Sequence, residues 1–233
     1  INKNVTEQDL FRTMEQVFSQ GYTSVKLYFM IGLPFETYED LDGIVELVKE
    51  VKSIYGIAGK NNPRKLMLTV STSNFVPKPF TPFQWIPQDS IKALEEKQIY
   101  LKDRLKMKGV RFNYHNATLS SLEAMFARGD RKLSKLLVEA FEQGCRMDGW
   151  NDKFDFSLWQ KAFEETGIDP LFYTHVISDI YLSFIINKFC EDLQNDIAGQ
   201  GVANKTAIDP ALIYFVQKNL KFGLVASVVT LVK

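Results

Sequence analysis

Between residues 7 and 115 the hydrophobic pattern switches from helical to strand spacing three times, with short links, and few folds accept that order. Leu10, Phe11, Met14, Val17 and Phe18 repeat at helical spacing behind Thr6, a capping residue, with Glu7 and Asp9 in the first turn. Gly21 stands where a left-handed residue closes a helix. Ser24–Ile31 reads as a strand, nearly continuous in apolar residues after Lys26, as a strand buried on both faces would be. Gly32-Leu33-Pro34 stops it. Thr37 caps a second helix, with Glu39 and Asp40 in its first turn and Leu41, Ile44, Val45, Leu47, Val48 and Val51 carrying it toward Gly56. Leu66–Phe75 is the second strand, Ser90–Lys108 the third helix with Ile91, Leu94, Leu101 and Leu105 on one face, and Val110–His115 the third strand. The order α-β-α-β-α-β predicts an α/β fold whose parallel strands are joined by right-handed crossovers, either an open doubly wound sheet or part of a β/α barrel.

An all-helical stretch follows. Ser120-x-x-Glu123 is patterned as a capping box. Leu122, Met125, Phe126, Leu133, Leu136, Leu137, Ala140 and Phe141 continue to Gly144, and a further helix is predicted over Ser157–Thr166. Trp150, Phe154, Phe156, Trp159 and Phe163 read as core or docking aromatics. From Val176 the apolar pattern loses its period. The divisions expected are therefore 1–117, 118–175 and an atypical tail at 176–233.

The chain has 28 basic and 28 acidic residues among 233, which gives no global pull toward nucleic acid or an anionic membrane. Leu212–Val232 is apolar but is interrupted by Lys218 and Lys221, so no membrane span is expected. Cys145 and Cys190 are too few and too distant for a disulfide framework, and no signal peptide opens the chain. A cytoplasmic protein is the simplest reading. The first residue is Ile, which reads as a position internal to a longer polypeptide.

Two segments carry chemistry. In Met30–Thr37, a glycine at the carboxyl end of a parallel strand lets a ligand approach the backbone, and Glu36 could accept hydrogen bonds from a ribose or an amine. The plainer reading is a turn in which Gly32 and Pro34 break the strand. In Ser71–Trp85, small hydroxyl residues leave room for a ligand and prolines fix an extended loop, with Phe75, Phe80, Phe83 and Trp85 offering stacking surface. The plainer reading is a rigid rim loop. His115, at the end of the third strand, is a weak candidate for acid–base work beside a structural, hydrogen-bonded role. Arg128, within Arg128-Gly129-Asp130-Arg131, is a weak candidate for oxyanion binding beside a role in structural ion pairs. No metal ligand set is expected from the chain's own residues.

Several of these stretches share a resemblance. KLYFMIGLPFET (26–37) followed by VSTSNFVPKPFTPFQW (70–85) resembles the last two core strands of the radical S-adenosylmethionine barrel, most closely in the subfamily with an N-terminal cobalamin-binding domain. HNATLSSLEAMFARGDRKL (115–133) and FEQGCRMDGWNDKFDFSLWQKAFEETGIDPLFYTH (141–175) resemble that subfamily's extension beyond the barrel, so the likeness covers roughly residues 1–175. It implies that 1–117 is the C-terminal part of a partial barrel and 118–175 a helical extension. It implies an S-adenosylmethionine pocket shaped by Gly32 and Glu36, with the backbone of Ser73, Asn74, Phe75 and Val76 near the adenine. The implied reaction is reductive cleavage of S-adenosylmethionine to a 5′-deoxyadenosyl radical at a 4Fe-4S cluster, with cobalamin supplied through an upstream domain.

The departure from that pattern is large. The family holds its cluster with three thiolates in a CxxxCxxC loop, and Cys145 and Cys190 cannot reproduce it. The resemblance thus implies a C-terminal fragment whose partner is the upstream part of the same polypeptide. Alone, such a fragment would be inactive and would bind S-adenosylmethionine weakly or not at all. The tail from 176 does not resemble the family; either its reading frame has changed, in which case it should be poorly ordered, or it is a lineage-specific extension. Two other readings stay open: a non-catalytic α/β module that docks a partner, and an RNA-modifying, methylthiotransferase-like enzyme. Gly32→Val is expected to block nucleoside binding in the intact protein while leaving the fold standing.

Overall fold

The structure, a computed structural model, describes residues 6–81, 83–84, 86–150, 152–176 and 230–231. They fall into two compact units, one of residues 6–75, 89–117 and 230–231, the other of 76–81, 83–84, 86–88, 118–150 and 152–176. The sequence from 177 to 229, which includes Cys190 and nearly all of the atypical tail, lies outside the described residues, as does most of Leu212–Val232. Among the described residues no helix is long and apolar enough to cross a membrane.

The first unit is α/β, in the predicted order: α1 (Glu7–Ser19), β1 (Ser24–Ile31), α2 (Tyr38–Ala58), β2 (Met67–Asn74), α3 (Ile91–Arg104) and β3 (Val110–Tyr114). Thr6 and Asp9 close a capping box on α1. On α2 the N–H and hydroxyl of Thr37 donate to Asp40 Oδ2 at 2.7 and 3.0 Å. These contacts satisfy N–H groups that would otherwise lack partners at each helix start. β1, β2 and β3 are parallel, with β2 in the centre, and a two-residue β4 (Thr230–Leu231) pairs antiparallel with Leu27 and Tyr28 of β1.

The strands advance in one direction across the sheet, and within this unit the helices all pack on one face. Leu27, Phe29, Ile31, Leu68 and Val70 meet Leu10, Met14 and Phe18 of α1, Val48 and Val51 of α2, and Leu101 of α3 in a single core. The opposite face carries Lys26, Tyr28, Met30, Thr69, Ser71, Ser73, Arg111 and Asn113, every one exposed or half-buried. β1 therefore alternates between buried and half-open positions and is not buried on both sides as its apolar run suggests. Tyr28 and Met30 are apolar enough for a core, but this unit's helices do not cover their side.

α3 ends four residues before the expected Lys108. Leu105, buried just past its end, caps it, and Lys106–Gly109 turn the chain into β3, with Met107 N–H donating to the Leu105 carbonyl and Val110 N–H to that of Met107. Gly109 takes φ +81°, and an added Cβ there would sit 2.7 Å from the Leu66 carbonyl oxygen, so glycine is required.

The second unit holds α4 (Ala117–Ala127, its first residue belonging to the first unit), α5 (Leu133–Glu142), α6 (Phe156–Thr166) and a π-helical turn at Phe172–Val176. Leu122 and Met125, Leu133, Leu136 and Ala140, Trp159, Ala162 and Phe163, and Tyr173 form its core. Phe154 and Phe156 pack against it half-buried, whereas Trp150 is exposed. The predicted capping box at Ser120 is not used. α4 begins three residues earlier, Ser120 is buried inside it, and Glu123 forms an ion pair with Lys78. The long helical stretch breaks between Arg128 and Lys132, where Asp130 Oδ1 accepts the Lys132 N–H at 2.8 Å. Asp155 caps α6 through the Ser157 N–H, and Gly167 closes it at φ +65°.

Candidate functional site

In a parallel α/β unit the carboxyl ends of the strands form the ligand-binding rim. Ile31, the last residue of β1, lies opposite Asn74, the last residue of β2, so Gly32 and Phe75 leave the sheet side by side. Phe75 N–H donates to the Ile31 carbonyl at 2.8 Å and extends the ladder past both strand ends. Gly32, Glu36, Ser73, Asn74, Phe75 and His115 all belong to this first unit, whereas Val76 and Arg128 belong to the second.

Glu36 does not point outward. Its side chain is 6% exposed, and Oε1 accepts the Gly32 N–H at 2.8 Å and the Lys97 ammonium at 2.9 Å. Glu36 N–H donates to the Leu33 carbonyl at 3.0 Å, which closes the turn. Lys97, on α3, also donates to Asp89 Oδ2 at 2.7 Å. The result is a largely buried cluster of one ammonium between two carboxylates, directly beneath the Gly32 turn. Burial raises the Glu36 carboxyl above its ordinary range, even though Lys97 and the Gly32 N–H pull it down. Burial alone would lower the Lys97 ammonium, but Asp89 and Glu36 together hold it above its ordinary value.

Gly32 has φ +78°, and a Cβ built on it would stand 2.6 Å from Leu94 Cδ2 and 3.4 Å from Asp89 Oδ2. The close approach that requires glycine is therefore to α3. Valine here would strain the backbone and strike Leu94, which overturns the expectation that Gly32→Val leaves the fold intact.

Asn74 is 5% exposed and joins three elements. Its Oδ1 accepts Gln98 Nε2 at 2.9 Å, and its Nδ2 donates to the carbonyls of His115 and Asn116 at 3.2 and 3.4 Å. Gln98 Nε2 also donates to the His115 carbonyl at 2.8 Å. His115 thus contributes its backbone to the rim, its N–H reaching the Thr72 carbonyl at 3.1 Å, while the residue is exposed. Ser73 lies on the half-open face, its hydroxyl 3.4 Å from the Phe29 carbonyl. Asn74→Ala is expected to cost about 1–3 kcal/mol in urea unfolding, because Gln98 and two carbonyls lose a partner in a buried setting.

Sequence reasoning missed the share of the rim supplied by α3 and the residue leading into it, namely Leu94, Lys97 and Gln98 on the helix and Asp89 before it. One signal was available. Gln98 falls four residues after Leu94 and three before Leu101, a polar side chain inside the apolar stripe of its helix. Phe35 was also missed. It holds φ +65° at the tip of the Gly32 turn and is 51% exposed. An aromatic residue held in the left-handed region at a strand's carboxyl end marks a strained position at the rim.

Among the described residues no group of three or more His, Cys, Asp or Glu side chains is placed to hold a metal ion. Cys145 packs half-buried against the second unit's core, and burial together with Asp148 and Asp155 raises its thiol.

An uncharacterized protein of Methanocaldococcus jannaschii is 33% identical to this chain over 170 residues, which takes in 69% of the chain and 36% of that relative. The chain thus spans well under half of the relative's length. No family model and no solved structure matches the chain.

Proposed function

We propose that this chain is the S-adenosylmethionine-side portion of a radical S-adenosylmethionine enzyme, with the cluster thiolates on polypeptide outside this sequence. The observation that carries the reading is the one-sided helix layer of the first unit. A β/α barrel keeps its helices outside and turns the other face inward, and three parallel strands advancing in one direction under a one-sided helix layer fit a wall of such a barrel, as they also fit one half of a doubly wound sheet. Here the uncovered face is polar and half-open, and the Gly32 turn and Asn74 stand together at its carboxyl edge.

In this reading the cluster and S-adenosylmethionine supply the radical chemistry, and this chain supplies the rim on which the nucleoside lies. The rim's polar side chains are committed to one another. Glu36 holds the Gly32 turn, and Asn74 with Gln98 holds the start of the segment after β3. What they leave for a nucleoside is the half-open strand face, with Met30 and Ser73 next to its carboxyl edge. The residues therefore fit a scaffold for the nucleoside, whereas Cys145, a single thiol, does not supply the three thiolates of a cluster.

The test is anaerobic expression of the intact polypeptide, with measurement of bound iron and of 5′-deoxyadenosine released from S-adenosylmethionine under reduction. Iron and deoxyadenosine are both expected from the intact polypeptide, and neither from residues 1–233 alone. An intact protein without iron and without S-adenosylmethionine cleavage would refute the proposal.

A further inference from the structure

Helix α5 shows solvent two features that the described residues leave unanswered. The first is apolar. Leu133, Leu136 and Ala140 turn into the second unit's core. Leu137, Val138 and Phe141 lie off that face and are 50, 58 and 59% exposed. With Ser134 they fall at i, i+3, i+4 and i+7, a continuous stripe along one side of the helix. Arg146 steadies the end of the stripe. Its guanidinium lies 3.3 Å from the centre of the Phe141 ring, and Nη1 donates to the Phe141 and Cys145 carbonyls at 2.5 and 2.8 Å.

The second feature is electrostatic. A helix favours acids near its amino end and bases near its carboxyl end. α5 has no acid in its first turn and no base in its last. It carries the reverse order, Lys132 and Lys135 at the start and Glu139 and Glu142 at the finish. Lys135 stands four residues before Glu139, the less favourable order for a pair along one helix. Among the described residues none of these four side chains forms an ion pair. A helix of the same charge order, laid antiparallel on the stripe, would answer both features at once, and α5 of a second copy is such a helix.

We propose that α5 is the seam through which two copies of this chain associate, antiparallel, about a twofold axis between Leu137 and Val138. A contact of this kind is isologous, so one patch has to complement itself. The stripe meets that condition. Leu137 of one copy faces the partner's Val138, and Phe141 faces the partner's Ser134, a small residue that leaves a hollow for the ring. The Ser134 hydroxyl already donates to the Arg131 carbonyl at 2.8 Å, so covering it strands no donor. Lys135 and Glu142 stand three residues before and four after Val138, on one edge of the stripe. Antiparallel pairing sets Lys135 of each copy beside the partner's Glu142 and brings acids to the start of each helix, where its dipole favours them. The proposal uses residues of the second unit alone and does not rest on the radical reading. Ten residues make a seam about 15 Å long, short of a standard interface, so Kd is expected on the order of 10–100 µM.

The test is sedimentation equilibrium of the whole chain over about 1–500 µM, where a reversible monomer–dimer equilibrium is expected. Val138→Glu sets two carboxylates against each other at the axis and is expected to weaken association roughly a hundredfold, leaving a monomer. The position is exposed, so an unchanged far-ultraviolet circular dichroism spectrum is expected beside it. Lys135→Glu and Glu142→Lys each bring like charges together at two symmetric places and are each expected to weaken association about tenfold. Mixed in equal amounts, these two variants are expected to regain wild-type association, because each altered charge then faces its opposite. A wild-type chain that stays monomeric overturns the proposal and leaves the stripe to another occupant. A dimer that survives Val138→Glu overturns it too, as does a mixture no tighter than either charge variant alone.

Discussion

Replacing Lys97 with methionine is expected to destabilise the chain by about 3–5 kcal/mol at neutral pH, and most of that deficit is expected to disappear on acidification. Methionine keeps the length and apolar stem of lysine, so the loss isolates the ammonium. Without it Glu36 keeps only backbone contacts, from Gly32 and more weakly from Leu33, to stabilise its charge in a place where its side chain is 6% exposed. Asp89 suffers less, because its side chain is 32% exposed and water can replace the ammonium. The dependence on pH follows from Glu36. Its folded-state carboxyl already titrates above the ordinary value of 4.5, so the folded chain holds this proton more tightly than the unfolded one. The stability tied to that proton is complete below 4.5 and is lost as pH rises through the higher, folded value. Removing Lys97 moves the folded value further up, so the variant loses more than the wild-type chain on the way to neutrality. At the alkaline end the wild-type ion pair itself fades. Lys97 titrates above 10.5 in the folded state, and its contribution is lost only as pH rises through that raised value. Urea unfolding from acid to neutral pH measures both effects. The double variant Glu36→Gln, Lys97→Met should recover most of the loss at neutral pH, since glutamine can still accept the Gly32 N–H without burying a charge. A single variant with a deficit independent of pH would show that the cluster acts by packing alone.

The frame of the rim was legible in the sequence, and its internal wiring was not. β1 ends at Ile31 because Gly32-Leu33-Pro34 cannot continue a strand, and that limit was readable from residue types alone. Thr6 and Thr37 were readable as caps because each precedes an apolar helical period and a carboxylate three positions on. The cluster beneath Gly32 had no such mark. Lys97 and Asp89 are far from Glu36 in sequence, and on a helix with charged residues at positions 92, 95, 96 and 97 one lysine looks like another. Only the crossover from β2 to β3, which brings the first turns of α3 to the carboxyl ends of the strands, selects Lys97 over Lys92. Ser120 misled for a related reason. Its spacing to Glu123 fits a cap, but the short link after β3 starts α4 at Ala117, and Glu123 is then available to Lys78. Arg128 was readable either as an oxyanion-binding type or as a partner in structural ion pairs, and what it does in the fold, donating Nη1 to the carbonyls of Gln84 and Ile86, had no mark in the sequence.

Gly32→Ala is expected to cost about 2–5 kcal/mol, a sum of two separable causes. The first is backbone: at φ +78° an L-residue loses about 1–2 kcal/mol relative to glycine. The second is contact: a Cβ 2.6 Å from Leu94 Cδ2 forces a fully buried side chain to move, an overpacking cost of about 1–3 kcal/mol. A Leu94→Ala background separates them. Leu94→Ala alone should cost about 2–5 kcal/mol as a cavity. In that background the added methyl keeps only ordinary contact with Asp89, so Gly32→Ala should then cost little beyond its backbone share, and the double variant should be more stable than the two single losses would add up to. The same turn aligns the Gly32 N–H with Glu36, so the strained variant should also weaken the hold of Glu36 and make unfolding less sensitive to Lys97→Met. Equal urea midpoints for wild-type and Gly32→Ala would mean that the left-handed turn is not what closes β1. Strict additivity with Leu94→Ala would mean that α3 does not press against Gly32, and the rim would then lack the wall that α3 gives it.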